Sequence, residues 1–267
     1  MEQANTEVRM KKIAISGKGG VGKSTLAAAI AYVHAAKRQR VYAIDADPDG
    51  NLAGALGIPP QLAAKVTPIS EMDELIFERT GARPGSGSTF FRLNPRVDDI
   101  PERFSLEYNG VHLLVMGTIS AGGSGCVCPE SALLRALVTH LALQRNEVIV
   151  LDMEAGVEHL GRATASAVDA FIVVVEPGLR SIQTARTVQR LAQDIGVSRI
   201  FIVGNKIRSQ TDEQFLREHL SDLPILGFIP FSDAVIEADL RGQSPYHTIP
   251  ELAEAVQAIV QRLEEVA

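Results

Sequence analysis

Residues 11–36 read Lys-Lys-Ile-Ala-Ile-Ser-Gly17-Lys18-Gly19-Gly20-Val21-Gly22-Lys23-Ser24-Thr25-Leu-Ala-Ala-Ala-Ile-Ala-Tyr-Val-His-Ala-Ala. An apolar run, Lys12–Ser16, enters a glycine-rich loop, and an alanine-rich helical pattern, Ser24–Ala36, leaves it. Strand, loop and helix in that order are the context a phosphate-binding loop requires. Glycines let the backbone N–H groups turn inward, and the helix N-terminus adds partial positive charge. Lys23 is then placed to bridge the outer phosphates, and Ser24 to offer a hydroxyl to Mg²⁺. The stretch predicts a nucleoside triphosphate site at the carboxyl end of a buried strand.

Outward from this unit, apolar runs rich in β-branched residues recur at Val41–Asp45, Val111–Met116, Val148–Asp152, Ala170–Val175, Ile200–Gly204 and Ile225–Ile229. Continuous runs of this kind suit strands buried on both faces. Helical patterns alternate with them at Pro129–Leu143, Ser181–Ile195, Thr211–His219 and Ile249–Val266. The alternation predicts an α/β fold, a single doubly wound, mostly parallel sheet flanked by helices. Of the 267 residues, 1–10 form a polar leader, and 11–267 read as one domain interrupted by an insertion at about 57–110. That insertion holds a short helical stretch near Glu71–Arg79 and then proline-punctuated polar sequence, without a core-forming pattern of its own.

Composition narrows the partners. Hydrophobic residues make up 46% and charged residues 22%, the balance of an ordinary globular chain. Twenty-six lysines and arginines against 32 acidic residues give a net charge of −6, so no global basic field invites nucleic acid or anionic lipid. No secretory h-region or apolar run of membrane-spanning length is present, and a cytoplasmic location is expected. The acidic flanks of Glu251–Glu265 argue for packing onto the sheet rather than docking on a membrane.

Two more strand ends carry acids: Asp45-Ala-Asp47-Pro-Asp49 after the second strand, and Asp152-Met-Glu154-Ala-Gly after Val148. Carboxyl ends of strands face the ligand crevice in an open α/β sheet, so Asp45, Asp47 and Asp152 should converge near Mg²⁺ and the γ-phosphate. Asp45 and Asp49 could equally cap a turn. Cys126 and Cys128 stand two apart between glycines and a proline. In an extended segment their sulfurs face one way and satisfy half of a tetrahedral thiolate site for zinc or another thiophilic metal, so a second copy of the chain would supply the rest. Two cysteines are too few for a disulfide framework, and a reducing compartment is expected.

Lys18, a second lysine inside the loop, resembles the mark of the deviant Walker A ATPases: the nitrogenase iron protein, MinD and ParA, and metallochaperone ATPases. Within that group, the loop, Asp45-Ala-Asp47-Pro, Cys126-Val-Cys128 and Asp152-Met-Glu-Ala-Gly-Val-Glu158-His159-Leu-Gly together look like the CooC family. The likeness runs from about Lys11 to the C-terminus. It implies a slow, dimer-dependent ATPase that binds nickel or zinc between two chains and delivers nickel to carbon monoxide dehydrogenase or acetyl-CoA synthase. It further implies that Lys18 reaches the partner's nucleotide, that Asp47 holds the attacking water, and that Asp152 positions Mg²⁺ through its water shell. Asn205 and Lys206 match the place where the group reads adenine, and Pro230, Phe231, Ser232 and Asp233 would wall the base. Glu158 and His159 are alternative metal ligands, though a histidine there more often acts as a hydrogen-bonded switch. An iron–sulfur redox protein like the nitrogenase iron protein, and a positioning ATPase like MinD or ParA, are the competing readings.

Overall fold

The computed structural model describes residues 11–47, 49–86, 90–117, 128–143, 147–154 and 168–266. The glycine loop lies between strand β1 (Lys12–Gly17) and helix α1 (Lys23–Ala36). Strands β2 (Val41–Ala46), β3 (Leu106–Tyr108), β4 (Val111–Val115), β5 (Val148–Met153), β6 (Ala170–Val175), β7 (Ile200–Ile207) and β8 (Ile225–Pro230) join β1 in one eight-stranded sheet. Its order is β3-β4-β2-β5-β1-β6-β7-β8. Only β3 runs antiparallel, against β4 at the edge. The predicted α/β class and mostly parallel sheet are therefore what the chain adopts. The three-residue β3 was not anticipated, because its Leu-Glu-Tyr sequence is too short to show a period.

Strands alternate between two cores. Ala14, Tyr42 and Ile44 belong to one apolar cluster, with Leu133, Leu137 and Leu141 of α6 (Pro129–Leu143) and Val188 of α7 (Leu179–Asp194). Ile13, Ile15, Val41 and Ala43 belong to the other, with α1 and with Leu252, Val256 and Ile259 of the last helix, Pro250–Glu265. Period-two alternation with both faces apolar is what a sheet covered on two sides demands. Helix α1 is alanine-rich because it is buried almost all round, and alanine permits close approach at no cost in helix propensity.

Between β2 and β4 the chain forms the short helices α2 (Leu52–Ala55), α3 (Pro60–Ala63), α4 (Asp73–Thr80) and α5 (Ile100–Phe104). Ile69, Ile76, Val97 and Ile100 carry this region into the first core. Buried Arg79 is tied to Asp99 at 2.7 Å, and the same carboxylate takes Arg103 at 2.8 Å, which pulls the Asp99 carboxyl down to about 2. Helix α8 (Gln210–His219) precedes β8, and α9 (Ala234–Leu240) and α10 (Pro245–Thr248) follow it. Neither α9 nor α10 showed in the sequence, since neither is long enough to repeat a helical face. Among the described residues no helix is long and apolar enough to cross a membrane.

Candidate nucleotide site

β1 is the central strand from which the connections depart to both sides, with β5 on one edge and β6 on the other. The carboxyl ends of strands around such a point frame the ligand crevice of an open α/β sheet. Gly17 ends β1 where a side chain would meet the Val174 carbonyl, a virtual Cβ lying 2.5 Å from its oxygen. Gly22, at φ +95°, stands immediately before α1 and leaves the space that the Asn205 amide fills. These two glycines are dictated by close approach and by backbone conformation respectively.

Lys23 is buried, and its Nζ lies 3.3 Å from Asp47 Oδ2, also buried. Asp47 is held in turn: its N–H donates to Asp45 Oδ1 at 3.3 Å, and its own Oδ1 accepts from the Asp49 N–H at 3.1 Å. Asp45 also accepts from the Leu52 N–H at 3.1 Å. Asp45 thus braces the turn that presents Asp47, which is the turn-capping role open to it from the sequence. Asp49 offers its backbone N–H to this turn.

Asp45 and Asp152 occupy paired positions of β2 and β5. Burial pushes the Asp45 carboxyl up to about 6 against the pull of its two backbone donors. Burial also pushes Asp152 up to about 7, with the Asp45 charge adding to it. The Ser24 hydroxyl and Lys23 draw Asp152 back in part. Ser24 is near enough to act on that carboxyl without closing a hydrogen bond, for both Asp152 oxygens are buried with no hydrogen-bond partner among the described residues. Unpartnered buried carboxylate oxygens beside a serine hydroxyl are a donor set for a hard divalent cation and its water shell.

A cleft of about 480 Å³ lies over the loop, lined by Gly19, Gly20, Gly22, Lys23, Ser24, Thr25 and Asp47 on one side and by Asp239 and Pro245 on the other. It shares Gly20, Gly22 and Thr25 with a second, more apolar pocket of about 280 Å³. Asn205, Lys206, Pro230, Phe231 and Ser232 line this second pocket together with Leu26, Leu252 and Val256. Asp233 stands directly before α9. Arg208 covers the Phe231 ring at 4.4 Å.

Asn205 has a role in the loop itself. Its Nδ2 donates to the Val21 carbonyl at 2.7 Å, and its Oδ1 accepts from the Lys206 N–H at 2.8 Å. That leaves one amide hydrogen for a ligand. Lys206 takes φ +59°, a left-handed conformation unusual for a side-chain-bearing residue, and its Nζ donates to the Gly20 carbonyl at 2.7 Å. Lys206 and Lys18 both reach Glu176, at 3.2 and 3.7 Å. Glu176 was not singled out in the sequence. Part of the signal was available, because Glu176 is an acid directly after the apolar run Ala170–Val175, as Asp47 is after β2; that it faces the loop depends on strand order.

A model of the CobQ/CobB/MinD/ParA nucleotide binding domain matches residues 12–246. The carbon monoxide dehydrogenase accessory protein CooC of Rhodospirillum rubrum is 47% identical over 254 residues, covering 95% of this chain and 96% of that one. The chain belongs to this family, on its CooC branch. A second relative by sequence is an uncharacterised ATP-binding protein of Methanocaldococcus jannaschii, 41% identical over 87% of this chain and 90% of its own. MinD in the MinC:MinD cell division complex of Aquifex aeolicus shares the fold, with a TM-score of 0.67 at 21% identity over 94% of both chains. So does MinD of Pyrococcus horikoshii complexed with Mg-ADP, at 0.62 and 18% over 96% of both. As a CooC-type member the chain is a P-loop ATPase of the MinD/ParA kind.

Of the cysteine pair, Cys126 lies outside the described residues, as do Glu158 and His159. Cys128 is half-buried directly before α6, with its Sγ 3.1 Å from the Ser131 hydroxyl and 3.5 Å from the Ser131 N–H that donates to it. The thiol thus sits at the N-terminus of a fifteen-residue helix. Among the described residues, no group of three or more histidine, cysteine or acidic side chains is arranged to hold a metal.

Proposed function

We propose that the protein is an ATP-driven metal-delivery factor. It works as a nucleotide-closed homodimer, takes nickel or zinc as cargo between the Cys126 and Cys128 pairs of two chains, and couples slow hydrolysis to insertion of the metal into a nickel enzyme. The client is carbon monoxide dehydrogenase, or acetyl-CoA synthase in the alternative. The observation that carries this reading is the 47% identity, over nearly the whole of both chains, to an accessory protein of carbon monoxide dehydrogenase. The setting is the cytoplasm, and the unit is one P-loop domain over 11–267 with 57–110 as an insertion.

The chain's own residues supply the chemistry. The triphosphate of ATP lies along Gly17–Thr25, where loop N–H groups and the N-terminus of α1 meet its charge. Lys23 exchanges Asp47 for the outer phosphates, and Asp47, released but still held by Asp45, orients the attacking water. Ser24 and Asp152 would hold Mg²⁺, directly and through water, and the cation supplies charge neutralisation on the phosphate oxygens. Lys18 of the second chain meets the charge that develops as the terminal phosphate departs. The adenine enters the apolar pocket between Leu26 and Pro230–Ser232, with the remaining Asn205 amide hydrogen and Lys206 at its rim.

Metal analysis of anaerobically purified protein, with and without ATP, tests the reading. One nickel or zinc per dimer is expected, lost in a Cys126→Ala, Cys128→Ala double variant that still binds ATP. Full metal content in that variant would overturn the site. A brown protein with sulfur-to-iron absorption would instead favour the redox reading.

A further inference from the structure

We propose that Glu176 is a positioning residue for the nucleotide site: it holds Lys18 against its own protomer and gives it up when ATP closes the dimer. The inference rests on the reading in which Lys18 acts across two chains.

Strand register puts Glu176 in this position. Gly17 of β1 pairs with Val174 of β6, and Val175 of β6 pairs with Gly204 of β7. The residues just beyond these ladders, Lys18, Glu176 and Asn205–Lys206, therefore emerge side by side from three adjacent strands. Glu176 is the stiff member of the three. Its N–H donates to the buried Ser181 hydroxyl at 3.0 Å, and Pro177 restricts its backbone to an extended form. Lys18 sits on a glycine loop and is the one free to move.

The carboxylate is shared. One oxygen lies 3.7 Å from Lys18 Nζ and the other 3.2 Å from Lys206 Nζ, which also donates to the Gly20 carbonyl. When Lys18 leaves, Glu176 keeps Lys206, so no charge is stranded and release costs little. Both ends of the Lys18 pair are partly exposed, at 40% and 29%, so the contact competes with a partner's nucleotide without preventing engagement. Glu176 thereby acts through Lys18 on closure and through Lys206 on loop shape, and the two routes separate by mutation.

The test is the ATP-dependent dimerisation constant of Glu176→Gln, read by analytical ultracentrifugation. A partly exposed ion pair contributes roughly a two- to five-fold factor, and two are broken in a symmetric dimer, so the variant should dimerise roughly four- to twenty-five-fold more tightly. The gain should persist when Lys206 is changed to Met, and Glu176→Ala should reproduce it. Unchanged or weaker dimerisation in Glu176→Gln and Glu176→Ala overturns the proposal, and so does a gain that disappears with Lys206→Met, which would assign the effect to the loop brace. Failure of the underlying reading looks different: Lys18→Ala would then dimerise and hydrolyse ATP like the parent, whatever Glu176 does.

Discussion

Asp45 and Asp152 stand at paired positions on neighbouring parallel strands, both buried, with carboxyl groups raised to about 6 and about 7. Burial penalises the charged form of both acids, and the Asp45 charge adds to the penalty on Asp152. That penalty falls on the ionised forms, and a cation bound between them would offset it.

A pH dependence follows. A carboxyl whose folded value lies above its unfolded one binds more protons when folded, so its contribution to stability is fullest at low pH and is lost as pH rises through about 4 to 7. Asp99 and Asp222, both lowered to about 2, work in the opposite sense but below that window. Burial lowers His34, which opposes the trend inside it, so the useful quantity is a difference between variants. Without nucleotide, Asp152→Asn should melt higher than the parent, with a gap that widens from pH 5 to 8. Thermal unfolding across that range checks this, and parallel curves would contradict it. Binding of Mg²⁺ with ATP should strengthen over the same interval, because the cation favours the ionised form.

Lys23 and Asp47 form a buried pair, so removing either exposes the other's dependence on it. Lys23→Ala should abolish tight ATP binding by calorimetry. It should also destabilise the empty protein, by about 3–5 kcal/mol if the stranded carboxylate stays ionised. Asp47→Asn keeps the geometry while removing the charge that competes with phosphate. It should bind ATP at least as tightly as the parent, turn over far more slowly, and accumulate as an ATP-bound dimer. Rapid hydrolysis by Asp47→Asn would remove Asp47 from the water's side.

Much of this site was legible because its residues lie where strand, loop and helix patterns intersect. Gly17–Ser24 falls between a β-branched run and an alanine-rich one, and Asp45, Asp47 and Asp152 fall at the ends of buried strands, so a short-range pattern located each of them. What escaped is long-range. Asn205 as a brace on Val21 depends on contact across 184 positions of sequence. The shared Glu176 needs the register of three strands, which no local period specifies. Helices α9 and α10, which close the cleft, are too short for a helical face to repeat.

The brace on Val21 can be tested apart from any base contact. Asn205→Ala removes the donor to the Val21 carbonyl, worth about 1 kcal/mol of stability, and frees the loop it shapes. The variant should therefore lose affinity for inorganic triphosphate as well as for ATP. A pure base reader would lose affinity for ATP alone. Gly22→Ala should be worse than Asn205→Ala, since φ +95° costs a side-chain-bearing residue about 1–2 kcal/mol and its methyl would enter the Asn205 amide. Combining the two changes should recover part of the Gly22→Ala loss, because the clash disappears with the amide while the backbone strain remains.

Metal and nucleotide should be linked through the closed dimer. On the proposed reading, Cys126 and Cys128 of one chain would supply two thiolates of the four that a tetrahedral shell needs, so metal binding would draw two chains together as ATP would. Linkage then requires that ATP tighten metal and that metal tighten ATP by the same factor. Thiol ligands release protons on binding, so metal affinity should fall in acid. Calorimetry with zinc at two pH values, repeated with ATP and an Asp47→Asn protein to prevent turnover, measures both quantities. A ratio of affinities that differs between the two directions would mean the measurement is not at equilibrium. Equal affinity with and without ATP would mean that the metal does not bind across the dimer, and Glu154, Glu158 and His159 would become the ligands to test.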